Sequence, residues 1–307
     1  MHSLTKPDTL HPGDRVCLIA PARWLREDQV AEAIAVMESW GLEVVVPDGL
    51  FAQAHQFAGT DEHRAKLVQW ALDHPDFKAL WCIRGGYGTS RIVDGLRWNS
   101  FLKFPKWIIG YSDPSVLLFE AQRQEFCSIH ATMPVNVPTI TPEALSSLKS
   151  ALMGPSTLHW KVPAHLSNQK GIATGQLVGG NLSILYSLLG SRTFPSLEGC
   201  ILLLEDLDEY LYHVDRMVLA LRRSGALKGL LGVVVGGLTD MHDNAVPFGA
   251  QAEEIIARQW GVLGIPIGFG FPFGHIDDNQ AFINGCRAEL RVSLEGSSLR
   301  YVDEFSS

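Results

Sequence analysis

The sequence predicts an α/β protein with an N-terminal doubly wound, mostly parallel sheet and a C-terminal mixed α/β domain. Three observations lead there. Short apolar runs alternate with amphipathic stretches through the first 130 residues. A proline- and serine-rich interval follows, and a second set of apolar runs then begins near Thr174 and ends in a hairpin pattern. Strand–helix alternation implies a parallel sheet covered on both faces. In such sheets ligands gather at the carboxyl ends of the strands.

Val16 to Ala20 is the first strand run. Glu27 to Trp40 reads as a helix with Val30, Ala33, Ile34 and Met37 on one face, and Gly41 ends it. Glu43 to Val46 is a strand, Asp61 to Leu72 a helix and Ala79 to Ile83 a strand. The loop Gly85-Gly86-Tyr87-Gly88 leads into a helix from Thr89 to Leu96. Trp107 to Ile109 and a helix from Ser115 to Phe126 complete the alternation. Residues 1–145 form this first domain, and residues 146–170, with Pro155 and Pro163, read as a linker. The second domain, 171–307, opens with the strand Thr174 to Val178 and the turn Gly179-Gly180-Asn181 before a helix to Leu189. Ile201 to Leu204 is a nearly all-apolar, hence buried, strand. Tyr210 to Arg223 is a helix, Leu230 to Val235 a strand and Gln251 to Trp260 a helix. Ala288 to Leu294 and Leu299 to Val302 form the closing hairpin.

With 307 residues, 46% hydrophobic and 19% charged, the chain is long and apolar enough for an ample core. A net charge of −8 argues against nucleic acid as a partner. No apolar stretch is long enough to span a membrane, and the N-terminus lacks a signal-peptide core, so no membrane association is expected. The five cysteines have no C-x-x-C spacing and fit a reducing cytoplasm better than a disulfide scaffold.

Ser112 is the first candidate for chemistry. It lies in Gly110-Tyr111-Ser112-Asp113-Pro114, between an apolar strand and a helix. Such a turn lifts a hydroxyl off the sheet beside free N–H groups, as a nucleophilic serine requires. The match to G-x-S-x-G is incomplete, and a Ser/Asp helix cap followed by proline is the competing reading. A serine needs a base and the base an orienting group. His275, in the loop Phe271-Pro272-Phe273-Gly274-His275, is the leading base and His130 its rival; His55, His63 and His74 read as solvated. Glu205 leaves the end of a buried strand and is the candidate orienting acid, while Asp206 points the other way if the strand continues. The glycines after Arg84 could present N–H groups to an anion, or simply make a tight turn. H-E-x-x-H is absent and Asp240-Met241-His242-Asp243 lacks zinc-ligand spacing, so neither metal nor cofactor is expected.

Together these segments resemble the serine LD-carboxypeptidases, the muramoyltetrapeptide carboxypeptidase family of murein recycling. The resemblance runs from Pro12-Gly13-Asp14-Arg15-Val16 through Arg84-Gly85-Gly86-Tyr87-Gly88 and Gly110-Tyr111-Ser112-Asp113. It continues through Val178-Gly179-Gly180-Asn181, Leu204-Glu205-Asp206 and Pro272-Phe273-Gly274-His275. It implies Ser112 as nucleophile, His275 as base, Glu205 as its partner, and the N–H groups of Gly86 and Asp113 as the oxyanion hole. It also implies an active site in an interdomain cleft, a homodimer and a muropeptide or other small peptide as substrate. Arg84 is a candidate for the substrate's free carboxylate. The sequence departs from the family pattern at Ile276, at Ala281-Phe282-Ile283, and at Ala22-Arg23-Trp24, which replaces small serines. These changes bear on the substrate more than on the reaction. A microcin-immunity-type peptidase acting on aminoacyl nucleotides is the second enzyme reading, ranked lower because the interval between Glu205 and Arg216 is short. A non-catalytic binder of an anionic small molecule is the reading from another class.

Overall fold

The computed structural model describes residues 4–155 and 157–302, which fall into two compact units. One comprises residues 4–155 with 277–283, and the other residues 157–276 with 284–302.

The first unit is built on β1 (Arg15–Ile19), β2 (Glu43–Val45), β3 (Phe77–Cys82), β4 (Trp107–Gly110) and β5 (Ser128–His130). A late segment, β11 (Phe282–Asn284), completes the sheet in the order β11-β5-β4-β3-β1-β2. β1 runs parallel to β2 and β3, β3 to β4, and β4 to β5. Helices α1 (Ala31–Ser39), α2 (Asp61–Asp73), α3 (Asn99–Lys103), α4 (Ser115–Arg123) and α5 (Pro142–Met153) complete the unit. Val16, Leu18, Leu80, Trp81, Ile108 and Ile109 are fully buried, as near-continuous apolar strands in a covered parallel sheet should be. The strand order reverses between β1 and β3. The loops leaving both strands, and the turn after β4, therefore stand at one edge of the sheet, where doubly wound folds bind ligands.

The second unit contains β6 (His159–Pro163), β7 (Gly171–Asn181), β8 (Cys200–Leu207), β9 (Gly232–Thr239), β10 (Ile267–Phe269), β12 (Arg287–Val292) and β13 (Gly296–Tyr301). Their order is β10-β9-β8-β7-β12-β13-β6. The first four run parallel and the rest antiparallel, so the sheet is mixed. Helices α6 (Leu182–Ser187), α7 (Leu211–Arg223) and α8 (Ala252–Trp260) accompany it. The α/β class, the parallel first sheet and the closing hairpin agree with the sequence reading.

Some local expectations are corrected. Thr89 to Leu96 is two short 3-10 turns, Thr89–Arg91 and Val93–Gly95, rather than one helix. Gly88 enters the first of them at φ 143°, and the Thr89 N–H donates to the Asp113 carboxylate. The interval from Thr141 to Gly171 is also more ordered than its prolines suggest. Thr141 Oγ1 accepts from the Ala144 N–H at 3.1 Å, and Pro142 occupies the first turn of α5, where proline is tolerated. Ala144, Leu148, Ala151 and Leu152 then bury one face of that helix.

Candidate active site

In the first unit, β4 delivers Ser112 into a turn that is strained at the serine itself. Ser112 has φ 63°, in the left-handed region that residues with a Cβ seldom adopt. Such a conformation costs on the order of 1–3 kcal/mol and persists only where its surroundings impose it. They do so here. The Ser115 N–H donates to the Ser112 carbonyl at 2.9 Å, and the buried Asp113 carboxylate accepts from the N–H groups of Gly88 at 3.2 Å and Thr89 at 2.9 Å. The Thr89 hydroxyl donates to the same carboxylate. Burial pushes the Asp113 carboxyl above its ordinary range, against the pull of these donors. Helix α4 has no side-chain cap. The helix-cap reading of Ser112 and Asp113 is therefore replaced: Asp113 ties the serine turn to the glycine loop.

That loop fits only because of its glycines. A Cβ on Gly85 would stand 2.8 Å from both Cβ and Oγ of Ser112. Gly86 has φ 105°, and a Cβ there would meet Arg23 Cδ at 2.4 Å. Arg64, fully buried, donates from Nη1 to the carbonyls of Pro21 at 2.5 Å and Gly88 at 2.8 Å, and pairs with Asp61. One guanidinium thus joins the loops after β1 and β3. The sequence reading missed Arg64 and Thr89; the Asp61–Arg64 spacing, suited to an ion pair, was the available signal.

In the second unit, β8 continues to Leu207, with an irregularity in its register against β9 between Leu204 and Asp206, and Glu205 and Asp206 have different partners. His275 Nδ1 donates to Glu205 Oε2 at 2.5 Å, with Glu205 fully buried. Gly274, at φ 104°, permits the approach, since a Cβ there would lie 2.5 Å from Glu205 Cβ. The loop is anchored on β9: the Gly237 N–H donates to the Phe273 carbonyl at 2.9 Å and Thr239 Oγ1 to the His275 carbonyl at 3.2 Å. Burial disfavours the imidazolium, but the charge and hydrogen bond of Glu205 outweigh it, and the His275 pKa lies above its ordinary value. Asp206 accepts from Asn181 Nδ2 at 2.8 Å and the Ser183 N–H at 3.0 Å. Burial and then the Glu205 charge push its carboxyl up to about 7.

A histidine held through Nδ1 by a carboxylate presents Nε2 as its basic atom. His130, the rival base, is fully buried and stacks on Phe282 with ring centroids 4.6 Å apart. Two histidines read as solvated are partly engaged: His63 Nε2 lies 2.9 Å from the Gly49 carbonyl, and His74 stacks on Phe77 at 4.1 Å.

Comparison with known proteins gives the family. Residues 16–131 match the family model for the LD-carboxypeptidase N-terminal domain, and residues 174–290 that for the C-terminal domain. The matches put the chain among the serine-type carboxypeptidases. It belongs to the LD-carboxypeptidase family. The murein tetrapeptide carboxypeptidase of Pseudomonas aeruginosa is 32% identical over 299 residues, covering 94% of this chain and 95% of that protein. The crystal structure of muramoyltetrapeptide carboxypeptidase from Oxalobacter formigenes superposes with a TM-score of 0.85 at 28% identity, covering 94% of this chain and 99% of that one. The microcin C7 self-immunity protein, in complex with aspartyl sulfamoyl adenosine, shares the fold with a TM-score of 0.84 at 18% identity, covering 99% of each chain. Among the described residues, no helix is long and apolar enough to cross a membrane.

Proposed function

We propose that this carboxypeptidase releases the C-terminal D-alanine of murein tetrapeptide, in peptidoglycan recycling in the cytoplasm, through a Ser112–His275–Glu205 triad. The observation that carries the reading is the 2.5 Å hydrogen bond from His275 to the buried Glu205. A buried carboxylate fixes the ring's tautomer and stabilises the imidazolium that forms when Nε2 accepts the Ser112 proton. Ser112 Oγ attacks the scissile carbonyl, and the N–H groups of Gly86 and Asp113 receive the oxyanion. One such donor is worth about 10²–10³ in kcat. His275 then protonates the leaving amine of D-alanine, and water, activated by the same ring, hydrolyses the acyl-enzyme. Arg84 serves the substrate's carboxylate. The reading requires the Ser112 hydroxyl and His275 Nε2 to meet in an interdomain cleft of the working enzyme, which acts as a homodimer. No step calls for a metal ion or cofactor.

The name of the Pseudomonas aeruginosa relative supports the choice of substrate. The test is release of D-alanine from matched L,D, D,D and L,L peptides. The account expects turnover of the L,D peptide alone, unchanged by a chelator. Release from the D,D or L,L peptide, or loss on chelation restored by zinc, would contradict it. A second reading, hydrolysis of aminoacyl nucleotides, draws on the exposed rings of Tyr210 and Tyr212, 5.4 Å apart shortly after β8, which could face a base. Under that reading a Tyr210→Ala/Tyr212→Ala variant would lose turnover of aspartyl adenylate and keep that of the peptide.

A further inference from the structure

We infer that Arg23 and Arg84 together form a carboxylate subsite beside the serine turn, with Arg23 gripping the free α-carboxylate of the residue to be released. This inference rests on the carboxypeptidase reading above. Arg23 follows β1 and Arg84 follows β3. Those strands are parallel neighbours with Ile19 opposite Cys82, so both arginines leave the sheet on the same edge. The two loops are laced together: the Arg23 N–H donates to the Gly85 carbonyl at 3.4 Å, and Arg84 Nη1 to the Trp24 carbonyl at 3.5 Å. The Arg23 stem lies over Gly86, where a Cβ would come within 2.7 Å of Nε.

Two arginines stand side by side here without a carboxylate between them. Arg26, Arg64, Arg91 and Arg123 each have a carboxylate within ion-pair distance. Among the described residues of the first unit, Arg23 and Arg84 have none, as is also true of Arg97, which lies away from the serine turn on the Gln69 side of α2; Arg23 Nη2 reaches the amide oxygen of Gln56 at 3.4 Å. Burial and then the neighbouring Arg23 charge hold the Arg84 guanidinium below its ordinary pKa. Two unneutralised cations, one of them half-buried, are a cost that a bound anion removes. Guanidinium forks match a carboxylate in planar, bidentate geometry.

Position selects which carboxylate. Gly85 lies against Ser112 Oγ, and the next residue, Gly86, lies under Arg23. In a peptide undergoing carboxypeptidase cleavage, only the amide nitrogen and one carbon separate the scissile carbonyl from the terminal carboxylate. A cation one residue beyond the nucleophile's neighbour suits that spacing. Arg23 is thus the residue that restricts cleavage to the chain end.

The test measures binding of acetyl-lysyl-D-alanine and of its C-terminal amide to the uncleaving Ser112→Ala protein by calorimetry. The acid should bind about 10- to 100-fold more tightly than the amide, the range of hydrogen bonds to charged groups. Adding Arg23→Ala, at an exposed position, should remove most of that preference, and Arg23→Lys should restore part of it. An acid preference absent from the parent, or undiminished by Arg23→Ala, would overturn the inference. Labelling of Ser112 by a fluorophosphonate, which carries no carboxylate, separates the two claims. If Ser112 stays unlabelled in the natural protein, the catalytic reading falls, and the acid preference still decides the subsite.

Discussion

The serine turn of the first unit and the Glu205–His275 pair of the second are held by different forces. Backbone geometry holds the turn: a left-handed Ser112, glycines at 85 and 86 with no room for a Cβ, and a buried carboxylate tying two loops together. Charge holds the pair: a fully buried glutamate bonded to an imidazole whose pKa it raises. The turn should therefore fail when its shape is changed. The pair should tolerate an isosteric change in shape and respond to charge.

The largest effect should come from Ser112→Ala. Removing the nucleophile of a comparable triad costs on the order of 10⁶ in kcat. The variant should keep its unfolding midpoint, and a folded variant with a tenth of the activity would remove the serine from the account. Glu205→Gln keeps volume and removes charge. By analogy with the same change in a serine protease triad, it should lower kcat by about 10⁴. Combined with His275→Ala it should be scarcely worse than His275→Ala alone, because members of one catalytic unit are non-additive.

Gly85→Ala probes shape on the other side of the comparison. The new Cβ would push Ser112 from its place, and a misplacement of about 1 Å can cost about 10²-fold in rate. The loss should appear in kcat with an unshifted pH profile. Gly274→Ala should cost stability as well, on the order of 1–3 kcal/mol from its left-handed backbone, since its Cβ meets Glu205. Urea unfolding measures it. His130→Phe should have the smallest effect: it keeps a ring to stack on Phe282 and should leave the pH dependence in place.

The contrast also separates what the sequence discloses from what it hides. Ser112, Glu205 and His275 were legible because each leaves an apolar strand or sits in a glycine- and proline-rich loop, where periodicity breaks at a visible point. Asp113 was legible as a member of the turn but not as the acceptor for Gly88 and Thr89, because that bond joins segments 24 residues apart. Arg64 was hidden for a related reason. In sequence it stands among Asp61, Glu62 and Lys66 and looks like a solvated helix start, yet it is fully buried beneath two loops. β11 was hidden too, because short apolar runs carry no record of which sheet they join, and residues 277–283 return to the first unit. Local pattern exposes strand ends; long-range polar contacts leave no periodic trace.

The most direct test of the central claim, that a charged Glu205 orients and tunes His275 as the base, is the pH–rate profile. A base must be neutral to accept a proton, so kcat/KM should rise with pH. Because the His275 pKa is raised in the folded protein, the midpoint should lie above the roughly 6.5 of an isolated histidine. Glu205→Gln leaves the burial and removes the charge that opposes it, so the midpoint should move to lower pH as the plateau falls. A midpoint that stays in place or moves upward in Glu205→Gln, or a pH limb that survives His275→Ala, would contradict the account.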